Sequence, residues 1–391
     1  MKKIYFCFFV LLHCSIIHCQ TDKTILAFYK SIDYEKKAEY SAAIECLLNL
    51  DDSLSYDVNA RIGFLYYKSG NFENSINYYK KAISIKPNSI EPRYGYSFPA
   101  HSLKDLKGLI DQDKKILEID PNHKTTNENL GQLYYYNNDY TNALLYFEKI
   151  MVLYPFDYQN NLYLAWSNLH LGKDAEAEKY LKMVLLYSPK DQSAMDALSY
   201  LKRKIPTNEK PYSSFLKSYE LSEKSDYKGA AIALNEAYDK SNYVINLRLG
   251  WLYYLAGLHI ESLNYYKIAV DLMPNAIEPK FGAIFPTTVL GNKNDLLNYY
   301  QSILKLDPQN TYVHYKLGVL DYDKKEYQSA VNHFEKIVTL NPSDTDGLLM
   351  LAWATLKLNK TSEAKALFNR VLCFSPNNAN AILGLKSEPE K

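Results

Sequence analysis

The chain has 391 residues, with 45 Lys and Arg set against 44 Asp and Glu, for a formal net charge of +1. Without a basic excess or a block of like charge it lacks the positive stripe that phosphate backbones require, so nucleic acid is excluded as its main partner. Hydrophobic residues make up 47% of the chain and tyrosine alone numbers 37, which supplies a packed core and excludes a disordered chain. Tyrosine joins an apolar ring to a polar tip, so it suits half-buried helix faces and binding grooves.

Residues 1–19 read as a secretory signal peptide: Met1-Lys2-Lys3 is a positive start, Ile4 to Leu12 an apolar stretch, and Gln20 the expected mature start. The stretch is interrupted by His13 and His18, too short to span a bilayer. The alternatives are an uncleaved anchor, or a lipoprotein signal acylated at Cys19, the route by which the processed protein would be held at a membrane. The expected location is outside the cytoplasm, periplasmic or on a bacterial outer membrane. Of five cysteines, Cys46 and Cys373 lie beyond the signal, near opposite ends of the chain. Set that far apart in an elongated fold they should not form a disulfide; they read as small buried hydrophobes.

From residue 24 onward helical periodicity dominates, and prolines mark its spacing. Pro87, Pro121, Pro155 and Pro189 recur every 34 residues, as do Pro274, Pro308, Pro342 and Pro376. With each proline placed at position 32 of a repeat, small residues recur at position 8 (Gly63, Gly131) and at position 20 (Ala143), and aromatic residues at positions 17 and 24 (Phe72, Tyr140, Phe147). Position 8 falls where the two helices of a repeat cross, so a small residue lets the backbones approach. Position 32 ends the second helix, because proline cannot continue it.

A longer period lies above the first. Adding 187 carries Phe28 to Phe215, Arg61-Ile62-Gly63 to Arg248-Leu249-Gly250, Glu91-Pro92 to Glu278-Pro279 and Ala165-Trp166 to Ala352-Trp353, without a gap from about 28 to 200. Two modules are expected as domains, 20–203 and 211–391, each with a lead repeat, four full repeats and a trailing helix. They are joined by a linker, 204–210, whose Pro206 makes it short and stiff. The offset predicts that each module folds alone. One repeat in each module departs from the pattern by carrying Pro99 or Pro286 inside its first helix, with Gly95 or Gly282 four residues earlier. This predicts a kink there, eased by the glycine.

The 34-residue period of paired helices, with its small residues and prolines in register over nearly the whole mature chain, resembles the tetratricopeptide-repeat (TPR) family. The resemblance implies an all-α solenoid, a right-handed TPR superhelix of about ten helix-turn-helix repeats in two duplicated halves of five. Stacked neighbours share one core.

No catalytic constellation appears: there is no phosphate loop, nucleophile elbow or zinc-protease motif. His101, His170, His259, His314 and His333 read as scattered through different repeats, none with a second histidine at i+4, and so as surface or inter-helix residues. No enzyme activity, cofactor or metal is expected.

The resemblance instead implies a groove lined by the first helix of each repeat, met by ligands at positions 2, 5, 9 and 12. Position 9 carries Phe64, Phe98, Trp166, Trp251, Phe285 and Trp353, and position 12 Tyr67, Tyr135, Tyr254 and Tyr322. These ten aromatics are the candidate partner-binding residues. The competing reading is that they fill space between adjacent helices. The carboxylate clamp of chaperone-tail binders is absent, since Ala60 and Phe64, or Leu247 and Trp251, occupy its first places. Position 5 is otherwise mostly apolar (Tyr94, Leu162, Phe281, Tyr315, Leu349), which favours a peptide or protein partner over a glycan, the alternative ligand. A third reading is an adaptor that tethers subunits by its convex face.

Overall fold

A computed structural model of the chain describes residues 23–50 and 54–387, residue 207 by its backbone only. The expected signal peptide, with Cys7, Cys14 and Cys19, lies outside the described residues. Among the described residues every regular element is helical, and no helix is long and apolar enough to cross a membrane.

Helices come in pairs. The first module holds α1 (23–36) with α2 (Tyr40–Leu48), α3 (Tyr56–Lys68) with α4 (Phe72–Ile85), α5 (Glu91–Ser102) with α6 (Leu106–Ile119), α7 (Lys124–Tyr136) with α8 (Tyr140–Leu153), and α9 (Tyr158–His170) with α10 (Asp174–Tyr187), followed by α11 (Gln192–Tyr200). The second holds α12 (Lys210–Glu223) with α13 (Tyr227–Asn235), α14 (Tyr243–Leu255) with α15 (His259–Leu272), α16 (Glu278–Val289) with α17 (Lys293–Leu306), α18 (Thr311–Asp323) with α19 (Tyr327–Leu340), and α20 (Thr345–Lys357) with α21 (Thr361–Phe374), followed by α22 (Ala379–Lys386).

The local sequence explains these bounds. Each position-32 proline stands two residues beyond the end of its helix: α4 stops at Ile85 before Pro87, and α19 at Leu340 before Pro342. The ring disfavours helical geometry in the residue before it. Asp or Asn caps many second helices, as Asp105, Asp139, Asp226 and Asn292 each accept from the amide three residues on. Such a cap contributes about 1 kcal/mol. The turn between paired helices passes through a left-handed residue at position 15, glycine at Gly70 (φ 80°) and Gly257 (φ 74°) but Asn138 and Lys325 elsewhere.

The helices gather into two compact units: Asn122–Asn310, and Met1–Pro121 together with Thr311–Lys391. Both boundaries fall inside the modules and not at the linker. The linker itself is one 3-10 turn, Pro206–Asn208, and Ile205 packs against the core beside it.

The unit 122–310 is one continuous run, α7 to α17. Its largest core cluster joins Phe215, Leu249, Leu252 and Tyr266 to Phe156. The run curls back on itself: the Ile277 amide donates to the Leu153 carbonyl at 2.9 Å, and the Phe156 amide to Glu278 Oε2 at 3.2 Å. Tyr243 Oη donates to that same carboxylate oxygen at 2.9 Å, and Asn122 Nδ2 to the Leu306 carbonyl at 2.7 Å.

The other unit takes α1–α6 from one end of the chain and α18–α22 from the other. Ile25 of α1 packs on the cluster containing Phe368 and Ala381, and the Phe28 ring meets Phe374 edge-on at 5.8 Å. Arg370 grips Asp57 with both nitrogens, Nε at 2.8 Å and Nη2 at 2.9 Å. The Ile90 amide donates to the Leu340 carbonyl at 2.8 Å, and the Ser343 amide to Glu91 Oε2 at 2.7 Å.

Three sequence expectations meet this structure differently than argued. Cys46 and Cys373 are free thiols, but the solenoid does not hold the two ends of the chain apart: Cys373 packs in one cluster with Ala43, Ile44 and Leu47. Its thiol is pushed up to about 12 by burial. His314 and His333 are not in different repeats; they share the α18–α19 pair, and their Nδ1 atoms lie 2.9 Å apart. The glycines before the helix prolines have a second reason. Helices α5 and α16 run unbroken through Pro99 and Pro286. A Cβ on Gly95 would lie 2.1 Å from Tyr79 Cε1, and one on Gly282 2.1 Å from Tyr266 Cε1. The glycine admits a ring from the preceding repeat.

Candidate functional site

The rings of the chain divide into two populations. Those at position 24 of the second helices (Tyr79, Phe147, Tyr266 and Phe334) are buried against position-8 glycines of the first helices. A Cβ on Gly131 would stand 2.6 Å from Phe147, and one on Gly318 2.7 Å from Phe334. These rings are the core, and the small residue opposite each is the space it needs.

Of the ten candidate rings at positions 9 and 12, Phe64, Tyr135, Trp166, Tyr322 and Trp353 pack with one side against core clusters. None is fully buried. Phe98 is 56% exposed, Phe285 44% and Trp251 38%, while Phe64, Tyr67, Tyr135, Trp166, Tyr254, Tyr322 and Trp353 are half-buried. They divide evenly between the units: Phe64, Tyr67, Phe98, Tyr322 and Trp353 in one, Tyr135, Trp166, Trp251, Tyr254 and Phe285 in the other.

Within unit 122–310, Trp251, Tyr254 and Phe285 form a triangle with ring centroids 5.6–6.2 Å apart. A second group surrounds Tyr135, which meets Tyr163 at 5.2 Å and His170 at 6.0 Å, with Trp166 6.3 Å from the same histidine. Trp166 Nε1 donates to Ser193 Oγ at 3.3 Å, which fixes the polar edge of the indole.

Within the other unit, Tyr67 and Phe98 pair at 5.6 Å. Phe64 and Phe98 wall a cleft of about 410 Å³, with Ala60 and Tyr94 from position 5 and Glu91 from position 2. Its far rim is the loop that carries Asn341 and Ser343. Arg61 closes one end, held by Glu35 at 2.5 Å and lying 5.6 Å from the Phe64 centroid. At the corresponding places unit 122–310 has Leu247 for Ala60 and Trp251 for Phe64, so larger side chains enter the same volume. Tyr322 rests edge-on against Tyr327, and Trp353 meets the buried Phe368 ring edge-on at 5.1 Å, so Trp353 is partly a packing residue.

Sequence reasoning missed Glu91 and Glu278. They appeared only as matching Glu-Pro pairs, and nothing local marks a glutamate at the first turn of a helix as half-buried against a distant loop. Burial raises both carboxyls, Glu278 to about 7, against the opposing pull of its Tyr243 and Phe156 hydrogen bonds. The half-buried Arg248, counterpart of Arg61, lies 4.1 Å from the Tyr219 ring centroid and donates to Ser222.

Models of the tetratricopeptide repeat match residues 56–89, 128–194 and 321–388. Together with the 34-residue periodicity and the stacked helix pairs, these matches decide the family. The chain is a tetratricopeptide-repeat protein. The TPR repeat-containing protein MJ1428 of Methanocaldococcus jannaschii is 22% identical over 374 residues, covering 88% of this chain and 63% of the relative. The TPR repeat-containing protein YpiA of Bacillus subtilis is 28% identical over 144 residues, 36% of this chain and 33% of its own. The chain thus spans less than two thirds of the length of either relative. A tetratricopeptide repeat protein from Parabacteroides merdae has a similar fold, at 15% identity and a TM-score of 0.39, over 68% of this chain and 99% of that one.

Among the described residues no group of three or more His, Cys, Asp or Glu could hold a metal ion. The candidate site brings together aromatic faces, a half-buried carboxyl and an ion-paired guanidinium, an arrangement for holding a ligand by area and a few directed contacts.

Proposed function

We propose that the protein is a non-enzymatic, exported scaffold that binds an extended protein segment along the aromatic faces of its first helices. One observation carries the reading: the rings at positions 9 and 12 all keep part of their surface exposed, Phe98, Phe285 and Trp251 most of all, whereas those at position 24 are spent in the core. Contiguous exposed aromatic surface is costly to leave uncovered and marks partner surfaces. The mostly apolar residues at position 5 supply pockets for apolar side chains and favour a peptide over a glycan. The location, periplasmic or on the outer membrane, rests on the character of residues 1–19.

The test uses Phe98, Trp251 and Phe285, the three most exposed candidates. Peptides selected on the purified protein from a random displayed library are measured against Phe98→Ala, Trp251→Ala and Phe285→Ala. Each substitution is expected to weaken binding by about 2 kcal/mol or more while moving stability by less than about 1 kcal/mol. Undiminished binding by all three variants removes the groove from the reading. Binding to an oligosaccharide array, with no peptide selected from the library, turns it to the glycan alternative. Intact-mass measurement of the secreted protein checks export: a chain beginning near Gln20 is expected, and a full-length cytosolic chain refutes it.

A further inference from the structure

The two units contain the same repeats in the same spatial order, but no module supplies a unit by itself. Helix α5 of the first module docks on the loop after α19 of the second; helix α16 of the second docks on the loop after α8 of the first. The two dockings are one contact used twice. Adding 187 to Ile90 and Glu91 leads to Ile277 and Glu278; adding it to Leu153 and Phe156 leads to Leu340 and Ser343. Ile90 bonds Leu340 while Ile277 bonds Leu153, and Glu91 holds Ser343 while Glu278 holds Phe156. Residue i meets j and j meets i, the self-complementary pattern of a two-fold dimer. In each case the glutamate passes over the loop of its own module and takes that of the other.

We infer that the two modules are each other's binding partners, so that each completes a unit the other has begun and the chain is a covalently tethered pair. The exception to the symmetry says which pairing is preferred. Asp57 faces Arg370 in one unit, and their counterparts, Val244 and Met183, share an apolar cluster in the other. Two copies of the first module would set Asp57 against Met183; two copies of the second would set Arg370 against Val244. Either self-pairing leaves a largely buried charge without its counter-ion, while the mixed pair matches ion to ion and apolar to apolar. The partner that fits each module is therefore the other module, not a second copy of itself.

The test keeps the whole chain until it is folded. A protease site placed in 204–209 is cut after purification, and native mass spectrometry reads the product. A one-to-one complex with the mass of the uncut chain is expected. Dissociation into halves, folded or aggregated, overturns the inference. Coexpression of 1–203 and 206–391 with different tags tests the preference: mixed pairs should outnumber self-pairs by about tenfold or more. Asp57→Val with Arg370→Met should bring the ratio to a statistical mixture. A statistical mixture already in the wild type refutes the charge argument, while the cutting result still decides the pairing itself.

Discussion

The unit 122–310 and the unit made of the two chain ends are the same solution reached through different connections. In the first, α11 passes through one 3-10 turn into α12, and Tyr212 settles among Ala194, Ala197 and Leu198. In the second, the equivalent helices are α22 and α1, at opposite ends of the described chain, and Ile25, the counterpart of Tyr212, packs on the cluster containing Ala381. Covalent continuity is therefore not what holds this junction; side-chain packing is. Where continuity is lost an ion pair appears, Asp57 with Arg370, at the place that Val244 and Met183 occupy in the continuous unit. Apolar contact is non-directional, whereas a bidentate pair also sets orientation.

The largest effect expected from this comparison is at that pair. Arg370→Ala leaves Asp57 largely buried and unpaired, and should destabilise its unit by about 3 kcal/mol, read by hydrogen exchange of α3 and α21. Met183→Ala at the matching place should cost about 1–2 kcal/mol, since Met183 is only partly buried. If the two losses are equal, the ion pair brings nothing beyond packing.

Next is the close approach shared by both units. Gly95→Ala and Gly282→Ala should each cost about 1–3 kcal/mol, because Tyr79 or Tyr266 must move off the new methyl group. Their midpoints in urea should fall together. A large loss in one unit only would break the structural equivalence.

pH separates the units in a smaller way. Glu278 faces Tyr243, Tyr266, Asp157 and Lys124, and burial raises it to about 7. A carboxyl whose folded value lies above its unfolded one favours the fold when protonated. Its contribution is present at low pH and is lost as pH rises from about 4.5 through 7, at up to about 1.4 kcal/mol per pH unit. Glu278→Gln should flatten that slope in urea titrations of α16. His333 acts with opposite sign in the other unit. Burial and His314 lower it, against the pull of Asp321, so its neutral form is favoured and stability is lost as pH falls below its ordinary value of about 6.5. The continuous unit has Asn127 and Tyr146 at the matching positions. His333→Tyr should remove the acid loss; persistence of that loss would move its origin elsewhere.

The smallest effect is at the surface. Lys190 pairs with Glu220 at 3.0 Å, both well exposed, and the other unit has Asn377 and Asp33 there. Lys190→Ala should change stability by less than about 1 kcal/mol, fading with added salt in thermal scans.

What the sequence determined by itself is everything governed by neighbours along the chain. The helix ends follow from the position-32 prolines, the capping from Asp105, Asp139 and Asn292, and the buried rings from the pairing of position 8 with position 24. Each depends on contacts within one repeat or with the next, so periodicity reveals them. The aromatic face at positions 9 and 12 was legible for the same reason, as one side of each first helix. Only the tertiary structure decided the rest: that Glu91 bonds a loop 252 residues away, that His314 meets His333, that Cys373 lies against α2, and that the compact units cut across the modules. These depend on how far a stack of repeats turns before it meets itself. That turn is a sum of small rotations set by packing at every interface, and no single stretch of residues carries it.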